Sequence, residues 1–237
     1  MKSICIASGL LLGAALLAGC GERTGQTGPT GTATGAFAAD VVAGKTSAVT
    51  DPVGDADKTA EAYLDIVRAE ITKQGTNFVF VMTLAAPIPD NPPLPSWADV
   101  MVWQPILDTD PTASPVGYPF TKNTANAFEF FIQHRVYRSG FVDPLDPASA
   151  ADVLVDRRPL LKGGQATVTP IKVTIDGAQI TFVVDAALLG DPSTFSWLSV
   201  TAVAKAGDDV KNAYNKHVPF DFAPDFNLGA PLATWPL

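Results

Sequence analysis

Ile171-Lys172-Val173-Thr174-Ile175-Asp176-Gly177-Ala178-Gln179-Ile180-Thr181-Phe182-Val183-Val184 decides the fold class. Apolar residues alternate with others up to Asp176-Gly177 (Ile171, Val173, Ile175) and again beyond it (Ile180, Phe182, Val184). A period of two marks a strand with one buried face. Asp-Gly tolerates the positive φ angles of a tight type I′ turn, so the segment is a β-hairpin. The pattern recurs outward along the chain. Residues 63–71 set Val67, Ala69 and Ile71 on one face and Leu64 and Ile66 on the other. Residues 78–84 alternate Phe78, Phe80, Met82 and Leu84 against Val79 and Val81, with Gln74-Gly75 as the turn between the two runs. Residues 100–107, 128–137 and 195–204 are further strands, and 36–50 offers a first one. The best helical candidate is 147–155, where Asp146 caps a first turn that begins at Pro147. Twenty prolines and 19 glycines lie mostly between strands. The expected fold is all-β, a two-sheet antiparallel β-sandwich with long Pro/Gly-rich loops and at most short helices.

Before this domain the chain carries an address. Lys2 precedes an apolar run, 4–17, that ends in Leu17-Ala18-Gly19-Cys20. Crossing a bilayer takes about 20 apolar residues, so the run is too short to span. A basic residue, a short apolar run and small residues at the exit describe a cleaved secretory signal. The four closing residues resemble the lipobox of bacterial lipoproteins. That resemblance implies that residues 1–19 are removed and that Cys20 becomes a diacylated first residue. Two or more acyl chains hold a protein firmly on a membrane. Gly21, where an aspartate would favour the inner membrane, implies the outer membrane in a Gram-negative cell and the cell surface otherwise. Residues 21–35 carry nothing that anchors a core. Residues 20–36 therefore read as a flexible, lipidated tether with a reach of about 20–25 Å. No internal repeat is present, and 37–237 reads as a single domain.

Composition narrows the chemistry. The chain is 47% hydrophobic and 17% charged, enough for a sizeable core, with a formal charge of −8. Loss of Lys2 with the signal makes it more negative. Acidic balance argues against nucleic acid, which needs a basic face, and against electrostatic docking on anionic lipid. Cys5 falls in the signal and Cys20 is claimed by acylation, so disulfides, thiol catalysis and cysteine-ligated metals are excluded from the mature domain.

Some of the acid is clustered. Asp51-Pro52-Val53-Gly54-Asp55-Ala56-Asp57 is followed by Asp65-Ile66 at a strand start. Like charges at 4 Å cost about 1 kcal/mol in water and more when partly buried. A hard cation removes that cost, and calcium takes six to eight oxygens. Pro52 and Gly54 bend the loop toward convergence. The candidate ligands are Asp51, Asp55, Asp57 and Asp65; the plainer alternative is a solvated, Asp-rich turn. The spacing is not an EF-hand.

Asp-Pro-x-Gly-Asp, a loop, then Asp-Ile into a hairpin resembles the opening of extracellular carbohydrate-binding-like β-sandwiches. These are the DOMON domains, family 9 carbohydrate-binding modules and the C-terminal module of glucodextranases. Ile106-Leu107-Asp108-Thr109-Asp110 leading to Ala127-Phe128-Glu129-Phe130 is similar to a second element of that group. The late hairpin, Leu188-Leu189-Gly190 and the strand through Trp197 form a third. The resemblance implies a ligand-binding sandwich with a structural calcium. It matches Asp51, Asp55 and Asp65 to the opening motif, and Asp108 and Asp110 to the later one. The chain departs from the group at Ala56-Asp57-Lys58-Thr59-Ala60, where Lys58 sets a positive charge near the proposed ion.

Sugar recognition uses flat apolar faces and a few orienting polar groups. Trp97 is the candidate platform, with Asp108, Asp110, Tyr118 and Phe120 near a rim; Trp103, Trp197 and Trp235 suit a core. Met82 or Met101 with His134 or His217 could ligate haem on paper. No Gly-x-Ser-x-Gly elbow, His-Glu-x-x-His helix or phosphate-cradling loop is present. Asp208, Asp209 and Asp221 read as acidic loop residues, which leaves a carboxylate-pair glycosidase as a minor alternative. The expected function is a non-enzymatic, lipid-anchored binding module that contacts glycan or cell-envelope material. The rival is an envelope interaction protein that binds another protein and no small ligand.

Overall fold

Alternation along the chain becomes antiparallel pairing throughout the described sheets. The computed structural model describes residues 45–112, 128–144, 146–206, 214–225 and 229–236. In chain order the strands are β1 (Thr46–Thr50), β2 (Ile66–Gln74), β3 (Asn77–Leu84), β4 (Val100–Asp108), β5 (Phe130–Tyr137), β6 (Asp152–Asp156), β7 (Thr167–Pro170), β8 (Lys172–Asp176), β9 (Gln179–Asp185), β10 (Phe195–Ala206), β11 (Tyr214–Ala223) and β12 (Ala233–Trp235). They form a five-stranded sheet, β1-β2-β3-β9-β8, and a seven-stranded sheet, β11-β10-β4-β5-β6-β7, with β12 also on β10. The fold is the expected all-β sandwich. Among the described residues its helical content is three short 3₁₀ turns, Ala62–Leu64, Arg158–Lys162 and Ala186–Leu189. Asp40–Leu237 cluster as one compact unit.

The core lies between the sheets. Ile71, Phe78, Phe80, Met82 and Phe182 face Met101, Trp103, Phe130, Ile132 and Trp197. Phe78 meets Phe195 and Trp235 edge-on at 5.4 and 5.5 Å, so β12 seals one end. A second apolar cluster covers the other face of the seven-stranded sheet, with Val102, Ile106, Phe131, Val155 and Val200. Every residue of β4 is therefore buried, which explains why 100–107 is apolar almost without interruption.

Several local expectations change. Ile66 pairs with Leu84 and Arg68 with Thr83, so Val67 is the extra residue of a β-bulge. The bulge breaks the alternation, and Ile66 joins Ala69 and Ile71 in the core while Val67 stays half-buried. Asp176 pairs with Gln179, so Gly177-Ala178 rather than Asp176-Gly177 occupies the turn. Gly177 has φ +59° and Ala178 is not left-handed, the pattern of a type II′ turn. The helix expected over 147–155 does not form. Asp146 accepts the Ala150 amide at 2.9 Å and closes a turn, after which Val153, Leu154 and Val155 are buried in β6. Two β-branched valines suit a strand better than a helix that short. The chain also changes sheets at Ile171: β7 pairs with β6 and β8 with β9.

Candidate functional site

Carboxylates from both sheets converge at one end of the sandwich. Asp51 follows β1, Asp55 lies in the next loop, and Asp65 stands just before β2. Asp221 is in β11 and Asp225 follows it. Carboxylate oxygens of Asp51, Asp55 and Asp225 lie within 4.8 Å of one another, as do those of Asp55, Asp65 and Asp221. Asp55 belongs to both triplets.

Local geometry aims these groups. Gly54 takes φ +85°, a left-handed conformation that a side chain resists. Its amide donates to Asp65 Oδ2 at 2.7 Å, which folds the loop over Asp65. In β11, Thr201 pairs with Asp221 and Ala202 with Pro219, so Phe220 is the extra residue of a second bulge. Its carbonyl accepts the Asp57 amide at 2.8 Å. The bulge turns Asp221 inward, where Oδ2 accepts the Ile66 amide at 2.6 Å and Oδ1 its neighbour's, Phe222, at 2.8 Å. Between Asp55 and Asp65, the turn Ala62–Leu64 is tied to the seven-stranded sheet. The Trp103 indole donates to the Tyr63 carbonyl at 2.9 Å, and the Thr201 hydroxyl donates to the Leu64 carbonyl.

Charge is concentrated here. Among the described residues, no lysine or arginine pairs with any of the five aspartates. Burial pushes the Asp51 carboxyl up to about 8, with Asp221, Asp55, Asp225 and Asp65 adding repulsion. Burial also pushes Asp221 up to about 7, against the pull of the Ile66 and Phe222 amides. Asp55 is raised too, by burial and then by Asp225. Asp51 Oδ2 and Asp65 Oδ1 are buried with no hydrogen-bond partner, although Asp65 is only 5% exposed. Buried acceptors are nearly always satisfied. An all-carboxylate set with orphaned oxygens fits a hard divalent cation such as calcium.

Three of the four proposed ligands are thus brought together. Asp57 is not. Its Oδ1 accepts the Thr59 amide and hydroxyl at 2.9 and 2.6 Å, which hold its carboxyl below the usual range. Lys58 is among the groups that lower Asp57. Asp221 is a strand residue, not a loop residue, and it joins the cluster with Asp225. Those two lie far along the chain from Asp51, so no local spacing pointed to them; alternation within β11 was the available signal.

The remaining candidates do not join the carboxylate cluster, although Asp110 lines a cleft with Thr109 and Glu129. Trp97 is half-buried against the inter-sheet core. Asp108 ends β4 at 3% exposure, and Asp110 turns its Oδ1 onto Thr112. Met82 and Met101 are core residues, and His134 Nδ1 lies 2.7 Å from Asp152 Oδ1. Cys20, Tyr118, Phe120, Asp208, Asp209 and the His217 side chain lie outside the described residues. No family model matches the chain, and no curated protein matches it.

Proposed function

We propose that this protein is a lipid-anchored, extracytoplasmic binding domain that contacts glycan or other envelope material, acts without catalysis, and is stiffened by one calcium ion. The ion in this reading is carried by the convergence of Asp51, Asp55, Asp65, Asp221 and Asp225 from two sheets, with buried oxygens left unsatisfied. A bound calcium supplies positive charge, so the clustered carboxylates become a clasp between the sheets. Asp51, Asp55 and Asp65 on one side and Asp221 and Asp225 on the other would hold it. Leu17-Ala18-Gly19-Cys20 supports the anchor.

Thermal melts of the purified chain in calcium and in chelator test the ion. A ligand at a hundredfold its Kd adds about 2.7 kcal/mol. For a domain of this size that is a rise in Tm of roughly 5–11 °C. Identical melts in the two buffers would remove the ion from the reading. Membrane fractionation of the wild type and Cys20→Ser tests the anchor: only the wild type should sediment with membranes.

A further inference from the structure

The sheets end in β1 and β8 on one side of the sandwich core and in β11 and β7 on the other. An open sheet edge presents unpaired amides and carbonyls, and it invites another strand unless something blunts it. β1 lies against β12, whose Thr234 carbonyl accepts the Ser47 hydroxyl at 2.7 Å. β11 is held by the loop after β1, through the Asp57 amide on the Phe220 carbonyl. β7 is four residues long and ends in Pro170, a residue that blunts edges. Among the described residues β8 has none of these protections. Lys172, Thr174, Ile175 and Asp176 are exposed, Ile175 at 39%. Ile171, Val173, Thr174 and Ile175 are β-branched, the type that favours a strand.

The hairpin fixes which backbone groups are free. Gly177-Ala178 is a two-residue turn, and Asp176 pairs with Gln179, Thr174 with Thr181 and Lys172 with Val183. By the antiparallel alternation these are the hydrogen-bonded pairs. The amides and carbonyls of Val173 and Ile175 therefore point away from β9, toward the open edge. Val173 packs on the inter-sheet core. Ile175 shares its face, and Lys172, Thr174 and Asp176 share the outer one.

This strand is complementary to itself. Set antiparallel to a second copy about Thr174, Val173 meets Ile175 of that copy, so the residues with free backbone groups exchange both hydrogen bonds. Val173 then also covers the exposed isoleucine. On the outer face Lys172 meets Asp176, and Thr174 meets its own counterpart. Opposite charges and paired threonines stabilise across strands, whereas like charges do the reverse. A parallel pair would set lysine on lysine and aspartate on aspartate.

We infer that β8 is a homodimer interface, through which two copies join their five-stranded sheets antiparallel about Thr174. The inference needs neither the ion nor the glycan of the reading above. A contact this short buries little surface, and copies tethered to one membrane meet at a raised effective concentration.

Disulfide trapping in membranes from cells making the full chain tests the pairing. Opposed residues of a non-hydrogen-bonded pair have Cα atoms about 4.5 Å apart, within disulfide range. Thr174→Cys should therefore give severalfold more linked dimer on mild oxidation than Val53→Cys, which is 74% exposed beyond the opposite edge strand. The unsubstituted chain, with Cys5 and Cys20 alone, is the blank. Adding Lys172→Asp sets aspartate against aspartate and should cut the yield about fivefold; adding Asp176→Lys as well should restore it. All these positions are exposed, and unchanged melts confirm that the variants fold. Equal trapping at residues 174 and 53 overturns the interface, and trapping indifferent to the charge reversal overturns the register.

Discussion

Asp221, on the seven-stranded sheet, accepts the backbone amide of Ile66, the first residue of β2 on the other sheet, at 2.6 Å. The bond joins the sheets where the aspartates converge, so Asp221 has two tasks. It satisfies the Ile66 and Phe222 amides, and it places negative charge beside Asp55 and Asp65. Leaving a buried donor unsatisfied costs about 1–3 kcal/mol. Relief of repulsion offsets part of that in metal-free protein. Asp221→Ala should therefore lose stability in chelator, by less than the full penalty of about 1–3 kcal/mol, and Asp221→Asn, which keeps an acceptor, should lose less still. Urea unfolding measures both; an unchanged midpoint for the alanine variant contradicts the assignment.

Asp51 should behave the opposite way. Its Oδ2 is buried and unpartnered, and burial with four neighbouring carboxylates opposes its ionisation. Asp51→Asn removes the charge at nearly constant volume. In chelator the variant should melt above the wild type, while its gain on adding calcium should largely vanish. Stabilisation in both buffers by equal amounts speaks against a role in holding the ion.

The same groups give the metal-free domain a pH dependence. Asp51 and Asp221 rise from the ordinary 3.8 to about 8 and about 7 in the folded protein. Between those limits the folded state binds more protons than the unfolded one. Stability therefore falls as pH rises from about 4 to about 8. Calcium favours the ionised carboxylates and should reverse the trend over the upper part of this range. Melts at pH 5 and pH 8, with chelator and with calcium, check the sign: the chelated protein should melt higher at pH 5.

The sheets were readable because one buried face leaves a period of two, as in Phe78, Phe80, Met82 and Leu84, all core residues. What escaped depends on a partner strand. A bulge at Val67 is invisible without knowing that Leu84 and Thr83 face Ile66 and Arg68. β6 escaped for a related reason: Asp146 does cap a turn, but burial against β5 carries the next residues into the sheet. In the candidate site, Asp51, Asp55 and Asp65 were legible because a short loop holds them. Asp57 has the same spacing but is captured by Thr59. Asp221 and Asp225 arrive by tertiary pairing of β11.

Gly54 and Gly177 separate backbone strain from assembly of the site. Both are left-handed, at φ +85° and +59°, and neither would bring a Cβ within 4 Å of another group. Alanine at either position therefore costs backbone energy alone, about 1–2 kcal/mol, and the two variants should unfold in chelator at similarly reduced denaturant concentrations. Only Gly54 donates to Asp65 Oδ2. Its loop also carries Asp55, which both carboxylate triplets share. Straining that loop works against the geometry that gathers the aspartates, whereas the Gly177 turn joins β8 to β9. Gly54→Ala should weaken calcium binding about tenfold by titration calorimetry, and Gly177→Ala should leave it unchanged. Equal affinities for the two variants would show that the Gly54 turn does not help assemble the ion site.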